Sequence, residues 1–428
     1  MPLTNSPADP LTAQLTSARR DYDALVAAGL SLDLTRGKPS PEQLDLSAAL
    51  LTLPDGQYRA ADGTDCRNYG GLQGLAELRE IFSGPLQVPA SQLVAGGNSS
   101  LELMHDCLVH AMLSIVPGGT SRWADQKITF LCPVPGYDRH FALCDRFGIA
   151  MIAVPMTDEG PDMDVVERLV AGDASVKGIW CVPKYSNPDG TCYSERVVQR
   201  LAAMTTAAPD FRVFWDNAYA VHDLTATPAQ LADLLGAAAA WGHPDRPLVF
   251  GSTSKITFAG AGVGFFGASP ANVAWLLGHT AKRTIGPDKI NQLRHALFLQ
   301  NEAGLRTHMR RQRSLLAPKF EAVQRILAAE LGDSGLAAWT APRGGYFVSL
   351  QVPDGCAREV VRRAAAAGIA LTPAGATHPH RDDPRDAVIR IAPTYPAVTE
   401  LEQAITGLAV CVRLVGYEKL LDPLSGSD

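Results

Sequence analysis

Five short stretches of this chain carry side chains that could act together on one ligand. Gly97-Asn98-Ser99-Ser100 opens a helical segment, and Val134-Pro135-Gly136-Tyr137-Asp138 follows an apolar run. Tyr185-Ser186-Asn187-Pro188-Asp189-Gly190 follows a second run, Asp216-Asn217-Ala218-Tyr219 closes a third, and Gly251-Ser252-Thr253-Ser254-Lys255 closes a fourth. Taken singly, each has an ordinary explanation. Asn and Ser cap helices, N-P-D-G makes turns, and a lysine among small residues is usually a surface residue. Free amides at a helix start also bind anions, however, and an Asp ending an apolar strand is expensive to bury unless paired. Together the stretches offer a phosphate cradle, an aromatic face, an amide, a carboxylate and an amine. One ligand suits all five: pyridoxal phosphate, held as a Schiff base on Lys255.

The elements around these stretches place them on one edge. QLVAGG, KITFLCP, GIAMIAVPM, VKGIWCVPK, FRVFWDNAY, PLVFGSTSK and GVGFFGAS are rich in Val, Ile and Phe and mostly free of charge, as strands covered on both faces are. Most alternate with helical stretches such as SLELMHDCLVHAML and SERVVQRLAAMT, which is the pattern of a parallel sheet with crossover helices. PLVFGSTSK and GVGFFGAS are too close for a helical crossover, so that pair should be antiparallel. The expectation is an α/β fold with a mainly parallel sheet of seven strands. Ligands of such sheets gather at the C-terminal strand ends, where the five stretches fall.

An N-terminal helix should run from about Leu11 to a stop at Gly29. From residue 287 one long helical stretch, PDKINQLRHALFLQ through ILAAEL, leads into GGYFVSLQV, REVVRRAAAAG, IALTP and AVIRIAPTYP. These describe a smaller α+β unit closed by a helix from about Thr399. The basic patch Arg310–Arg313 reads as a solvated helix face. Residues 60–286 then form a large cofactor domain and 287–428 a small C-terminal domain, joined by the N-terminal segment 1–59.

Composition narrows the function classes. Lys and Arg number 38 against 44 Asp and Glu, a formal charge of −6, which argues against nucleic-acid binding by bulk charge. No apolar run reaches the roughly 20 residues of a membrane helix, and the N-terminus lacks a signal-peptide pattern. A soluble, cytoplasmic protein with no membrane or nucleic-acid partner is expected. The eight cysteines form no C-x-x-C pair and stand at no zinc-like spacing. His378 and His380 lie in THPHRDDPRD, which reads as an exposed loop, so no metal is expected. A nicotinamide-dependent oxidoreductase fails on motif, since no strand leads into G-x-G-x-x-G with an acidic residue about 20 positions on.

The succession N-P-x-G at Asn187, D-x-A-Y at Asp216–Tyr219 and S-x-S-K at Ser252–Lys255 resembles that of fold-type I pyridoxal-phosphate enzymes, the class I/II aminotransferases. Within that group the chain is most similar to the aspartate aminotransferase-like, or MocR-type, branch, over residues 36–395. The resemblance implies that Lys255 bonds the cofactor and later moves the substrate's α-proton. It implies that Asp216 pairs with the pyridine nitrogen, while Asn187 and Tyr219 hydrogen-bond the phenolic oxygen. Tyr137 would stack on the ring, and Asn98, Ser99, Ser100 and Ser252 would hold the phosphate. Tyr69, in R-N-Y-G-G, resembles the tyrosine that reaches the phosphate of the neighbouring subunit, which implies a homodimer with shared active sites. Arg390 matches the arginine that clamps the substrate α-carboxylate as a bidentate pair. Arg36 and Gly37 fall in the substrate-gating loop, and Asn187 also faces substrate.

One departure stands out. The family pattern has a phosphate-binding arginine about eight residues after the lysine, but here Lys255 is followed by I-T-F-A-G-A-G-V-G. Either another cation such as Lys282 or Arg283 compensates, or amides and hydroxyls hold the phosphate alone. The implied activity is a ping-pong transamination between an L-amino acid, aspartate or glutamate, and a 2-oxo acid such as 2-oxoglutarate. Transamination of alanine or aromatic amino acids and a lyase reaction are the alternatives, because the same residues support several outcomes. A MocR-type DNA-binding regulator would need a helix-turn-helix head, and the thirty or so residues before TRGKP read as a single helix.

Overall fold

The computed structural model describes residues 10–35 and 37–422, which gather into two compact units. Strands are numbered in chain order. The larger unit, residues 39–315 and 343–345, is built on β2 (Leu93–Gly96), β3 (Thr129–Val134), β4 (Ala150–Thr157), β5 (Gly160–Pro161), β6 (Val176–Cys181), β7 (Arg212–Asp216), β8 (Pro247–Ser252) and β9 (Gly264–Ala268). They lie in the order β2-β9-β8-β7-β6-β3-β4-β5. Strands β4, β3, β6, β7 and β8 are mutually parallel, and β9 runs antiparallel to both β8 and β2. Seven of these are the strands expected from sequence, the closing antiparallel pair included. The eighth, β5, is a two-residue partner of β4, too short to leave a periodic signal.

Period-two alternation fills both faces of this sheet. Phe130, Trp180, Phe214 and Phe250 enter the core on one side, while Leu131, Ile179, Val213 and Val249 enter the core on the other. Phe214 and Phe250 stack across adjacent strands at 5.7 Å. Gly178 is required beside them, because a Cβ there would sit 2.5 Å from the Phe130 ring. With both faces closed, the free polar positions are the strand ends. The C-terminal ends of β3, β6, β7 and β8 therefore present Tyr137, Asn187, Asp216 and Ser252 along one edge.

In the smaller unit, residues 10–35, 37–38, 316–342 and 346–422, β10 (Ala338–Trp339), β11 (Val348–Gln351) and β13 (Val388–Ile391) form an antiparallel sheet. Strands β1 (Leu32–Asp33) and β12 (Ile369–Ala370) pair in parallel. Helix Pro10–Ala27 ends before Gly29, whose φ is 61°, and packs on helix Val398–Leu421.

Three expectations are corrected. Composition places the domain boundaries at 59/60 and 286/287, whereas the compact units divide at 38/39 and within helix Glu302–Leu331 at 315/316. The reason lies in long-range polar contacts. Gln292 accepts from the Leu75 amide and donates to Ala95 O, and Gln43 donates to Gln312, tying both flanking segments to the larger unit. The single long helix expected after residue 287 is two, Lys289–Leu299 and Glu302–Leu331. Gln300 breaks it with φ 63°, and Asn301 Oδ1 accepts from the Gly304 amide. Finally, THPHRDDPRD is not an exposed loop throughout: Thr377, His378 and Asp383 are buried. The Asp383 carboxylate accepts from the amides of Arg385, Ala387 and Val388, and those fixed donors anchor it.

Candidate active site

The four strand ends and the start of helix Ser100–Leu113 enclose a cavity of about 190 Å³ in the larger unit. Lys255, Asp216, Tyr219, Asn187, Tyr137, Ser99, Ser100 and Ser252 all line it, joined by Ser254, which sequence reasoning did not single out. Asn98 instead lines a neighbouring cavity of about 400 Å³. Tyr69 lines neither cavity and is exposed. Arg390 and Gly37 belong to the smaller unit, and Arg36 lies outside the described residues.

Asp216 is the last residue of β7 and is 2% exposed. Its Oδ2 lies 3.1 Å from His140 Nε2, and its Oδ1 is buried without a hydrogen-bond partner. Orphaned carboxylate oxygens are rare because each costs its full desolvation. A protonated pyridine nitrogen would supply the missing donor. His140 was missed from the sequence. Its ring stacks on Trp180 at 4.4 Å with planes 9° apart, and Tyr137 meets it edge-on at 5.0 Å. The available signal was its place in the first turn after β3, in the run Tyr137-Asp138-Arg139-His140.

Lys255 follows β8, with its ammonium 5.4 Å from the centroid of the Tyr219 ring. Its carbonyl accepts from His222 Nε2 at 3.2 Å. Burial, and then the charge of Lys255, press the His222 pKa down to about 3, so the ring stays neutral and serves as a rigid donor. The amide of Asn187 comes from a tight turn in which Gly190 N donates to Ser186 O, and Ser186 N donates to Thr191 O.

Asp189 closes that turn by accepting from the Thr191 amide at 3.0 Å. Burial raises its carboxyl from 3.8 to about 6. The folded state then holds this proton more tightly than the unfolded chain, so the group subtracts stability as pH rises through that window. Asp189→Asn keeps the acceptor and removes the charge. Its unfolding free energy should exceed wild type by on the order of 1–2 kcal/mol at pH 8 and by almost nothing near pH 4. Equal effects at the two pH values in thermal melts would refute this.

The helix-start end of the cavity is poor in cations. Ser99 caps helix Ser100–Leu113, accepting from Glu102 N at 3.4 Å, and the Glu102 carboxylate accepts from Asn98 N at 2.7 Å. Arg283 is held by Asp106 at 3.0 Å and lines the larger cavity. Lys255 is the one basic side chain lining the smaller cavity. Val263, at the position of the family arginine, is 1% exposed in the apolar core. On either side of it, a Cβ on Gly262 would lie 2.8 Å from Asn98 O, and one on Gly264 would lie 2.7 Å from Ser99 O. Helix-start amides and the hydroxyls of Ser99, Ser100, Ser252 and Ser254 are the groups that could donate to a phosphate there.

In the smaller unit Arg390 is 7% exposed, donates to Thr372 Oγ1 at 3.3 Å and lies 4.9 Å from the Phe347 ring. Gly37 passes the same ring so closely that a Cβ would fall 2.4 Å from it. Among the described residues no helix is long and apolar enough to cross a membrane.

A buried carboxylate short of one donor, an amine and a set of hydroxyls at a helix start, on the C-terminal edge of a mostly parallel sheet, fit what pyridoxal phosphate needs and suit a fold-type I enzyme of that cofactor. The fold agrees with the α-aminoadipate aminotransferase of Thermus thermophilus, complexed with N-(5'-phosphopyridoxyl)-L-leucine. That match has a TM-score of 0.74 over 97% of this chain and 98% of that one, at 20% identity. The aspartate amino-transferase family model matches residues 3–423, and the chain belongs to that family. The aspartate aminotransferase of Corynebacterium glutamicum is 50% identical over 402 residues, 94% of this chain and 93% of that protein. A crystal structure of an aspartate transaminase from the same species has a TM-score of 0.94 at 49% identity, covering 96% of this chain and 98% of that one.

Proposed function

We propose that this aminotransferase moves the amino group between aspartate or glutamate and a 2-oxo acid, 2-oxoglutarate above all, by a ping-pong cycle in the cytoplasm. The observation that carries the reading is the identity of about half to a Corynebacterium glutamicum sequence, and to a solved structure from that species, named for aspartate. Pyridoxal phosphate, when bound, supplies the electron sink that stabilises charge on the substrate's α-carbon.

The chain's own residues do the rest. Lys255 Nζ would hold the cofactor covalently and, once the substrate's amine had displaced it, the freed amine would take and return the α-proton, a role suited to an amine whose environment tunes its basicity. Asp216, oriented by His140, keeps the ring nitrogen protonated. Asn187 and Tyr219 bind the phenolic oxygen, and Tyr137 covers the ring face. Ser99, Ser100, Ser252 and Ser254 hold the phosphate through hydroxyls and helix-start amides, whereas Asn98, whose own amide donates to Glu102, lines the neighbouring cavity. Arg390 binds the substrate α-carboxylate, while Gly37 borders the substrate. The working form is a homodimer in which Tyr69 serves the neighbouring site.

Purified protein should convert aspartate and 2-oxoglutarate to oxaloacetate and glutamate in a coupled assay. Inactivity with both dicarboxylates, alongside turnover of alanine or aromatic amino acids, would redirect the substrate assignment. Release of ammonia from a β-substituted amino acid without any oxo-acid acceptor would establish the lyase alternative.

A further inference from the structure

Away from the cofactor cavity, the larger unit buries a lysine whose ammonium, like the guanidinium groups of Arg212 and Arg246, meets only uncharged acceptors. Lys289 begins helix Lys289–Leu299 and is 3% exposed. Its ammonium donates to the carbonyl oxygens of Asn68 and Gly70, each at 2.7 Å. Among the described residues it pairs with no carboxylate. Burying an ammonium on neutral acceptors alone is unfavourable, and an apolar side chain of similar length would fill the space without that penalty.

The two carbonyls flank a single residue, Tyr69, which is 79% exposed. Everything nearby constrains its backbone and leaves its side chain in solvent. The Tyr69 amide donates to Asn68 Oδ1 at 2.9 Å. Gly70 and Gly71 continue the chain with φ of 94° and 71°, values that glycine alone adopts without strain. Gly286 lies so close that a Cβ there would sit 2.5 Å from Gly70 O.

We propose that Lys289 is a positioning residue for the active site of the neighbouring subunit, clamping the carbonyls on both sides of Tyr69 so that this tyrosine is aimed at the partner's cofactor phosphate. The proposal rests on the shared-site homodimer described above. It gives the uncompensated charge a task. It also answers the shortage of cations at the phosphate, since a hydroxyl delivered from the second chain adds a donor that the cavity's own lining does not supply.

The test measures cofactor affinity. Apoprotein of wild type, Tyr69→Phe and Lys289→Met is titrated with pyridoxal phosphate, while sedimentation follows the dimer. Each substitution should weaken binding roughly tenfold, about the effect of one lost hydrogen bond, and the double variant should be no worse than either single one. Lys289→Gln, which keeps a donor without the charge, replaces Lys289→Met where the latter fails to fold.

Hybrid dimers then separate the clamp from a general loss of stability, read by the visible band that only a site bearing Lys255 yields. A wild-type chain paired with a Lys255→Ala, Lys289→Met chain should show weak cofactor binding, because its one competent site depends on the loosened tyrosine. A Lys255→Ala chain paired with a Lys289→Met chain should bind as wild type. The reverse pattern, or additive losses in the double variant, overturns the proposal. Weakening by Tyr69→Phe with none by either Lys289 variant overturns the clamp alone. An unchanged Tyr69→Phe overturns the shared-site reading and the clamp with it.

Discussion

Lys255→Ala should yield a folded protein that lacks the visible absorption band of the lysine-bound cofactor and has lost at least about 10⁴-fold in turnover, the upper end of what a positioned proton-transfer group supplies. The fold should survive because Lys255 is only half-buried and its backbone contact, the carbonyl facing His222, is untouched by truncation. Cofactor can still enter through the hydroxyls and Asp216, so the expected spectrum is that of unbonded pyridoxal phosphate rather than none. The measurements are a visible spectrum, a thermal melt and the coupled transaminase assay. A retained band, or turnover within tenfold of wild type, would remove Lys255 from the centre of the chemistry.

The second large effect belongs to Asp216. At an effective dielectric constant near 20, a charge pair about 3 Å apart in a buried site is worth roughly 5 kcal/mol, and allowing for desolvation about 10³-fold in rate is the expected share. Asp216→Asn keeps the shape and removes the charge opposite the ring nitrogen. It should therefore lower kcat far more than it raises KM, because the charge matters most when electron density moves into the ring. His140→Phe preserves the stack on Trp180 and removes only the contact to Oδ2. Its loss should be smaller and in the same parameter. Comparable kcat and KM changes in both variants would mean that Asp216 serves substrate binding instead.

Much of this was legible in the sequence, for physical reasons. Strands buried on both faces must be apolar at consecutive positions, so Phe130-Leu131, Ile179-Trp180 and Val249-Phe250 announced the central sheet directly. Motifs at strand ends could be assigned to one edge because parallel strands share a direction. Eight of the residues singled out meet in one cavity on that account. What stayed hidden depends on contacts between distant segments. Nothing local in Gln292 or Gln43 says which body it ties down, and the domain boundaries shifted accordingly. His140 sits in an unremarkable helical turn, and its value comes from Trp180 and Asp216, 40 and 76 positions away. Lys289 looks like a routine first residue of a helix until Asn68 and Gly70 are seen around it. The break at Gln300 was written locally, with Asn301 as a cap before Gly304, but the helical composition on both sides masked it.

The reversed direction of β9 has a consequence for engineering. Running back beside β8, it and the turn before it set Gly262 and Gly264 against the carbonyls of Asn98 and Ser99, carbonyl to missing side chain. The usual arginine thus cannot be grafted by one codon change: at position 263 it would be driven into the apolar core, and at 262 or 264 it would strike the carbonyl of Asn98 or Ser99. Acquiring that cation would require re-routing two loops at once. Engineering for tighter cofactor retention would therefore start from the hydroxyl-bearing positions Ser99, Ser100, Ser252 and Ser254.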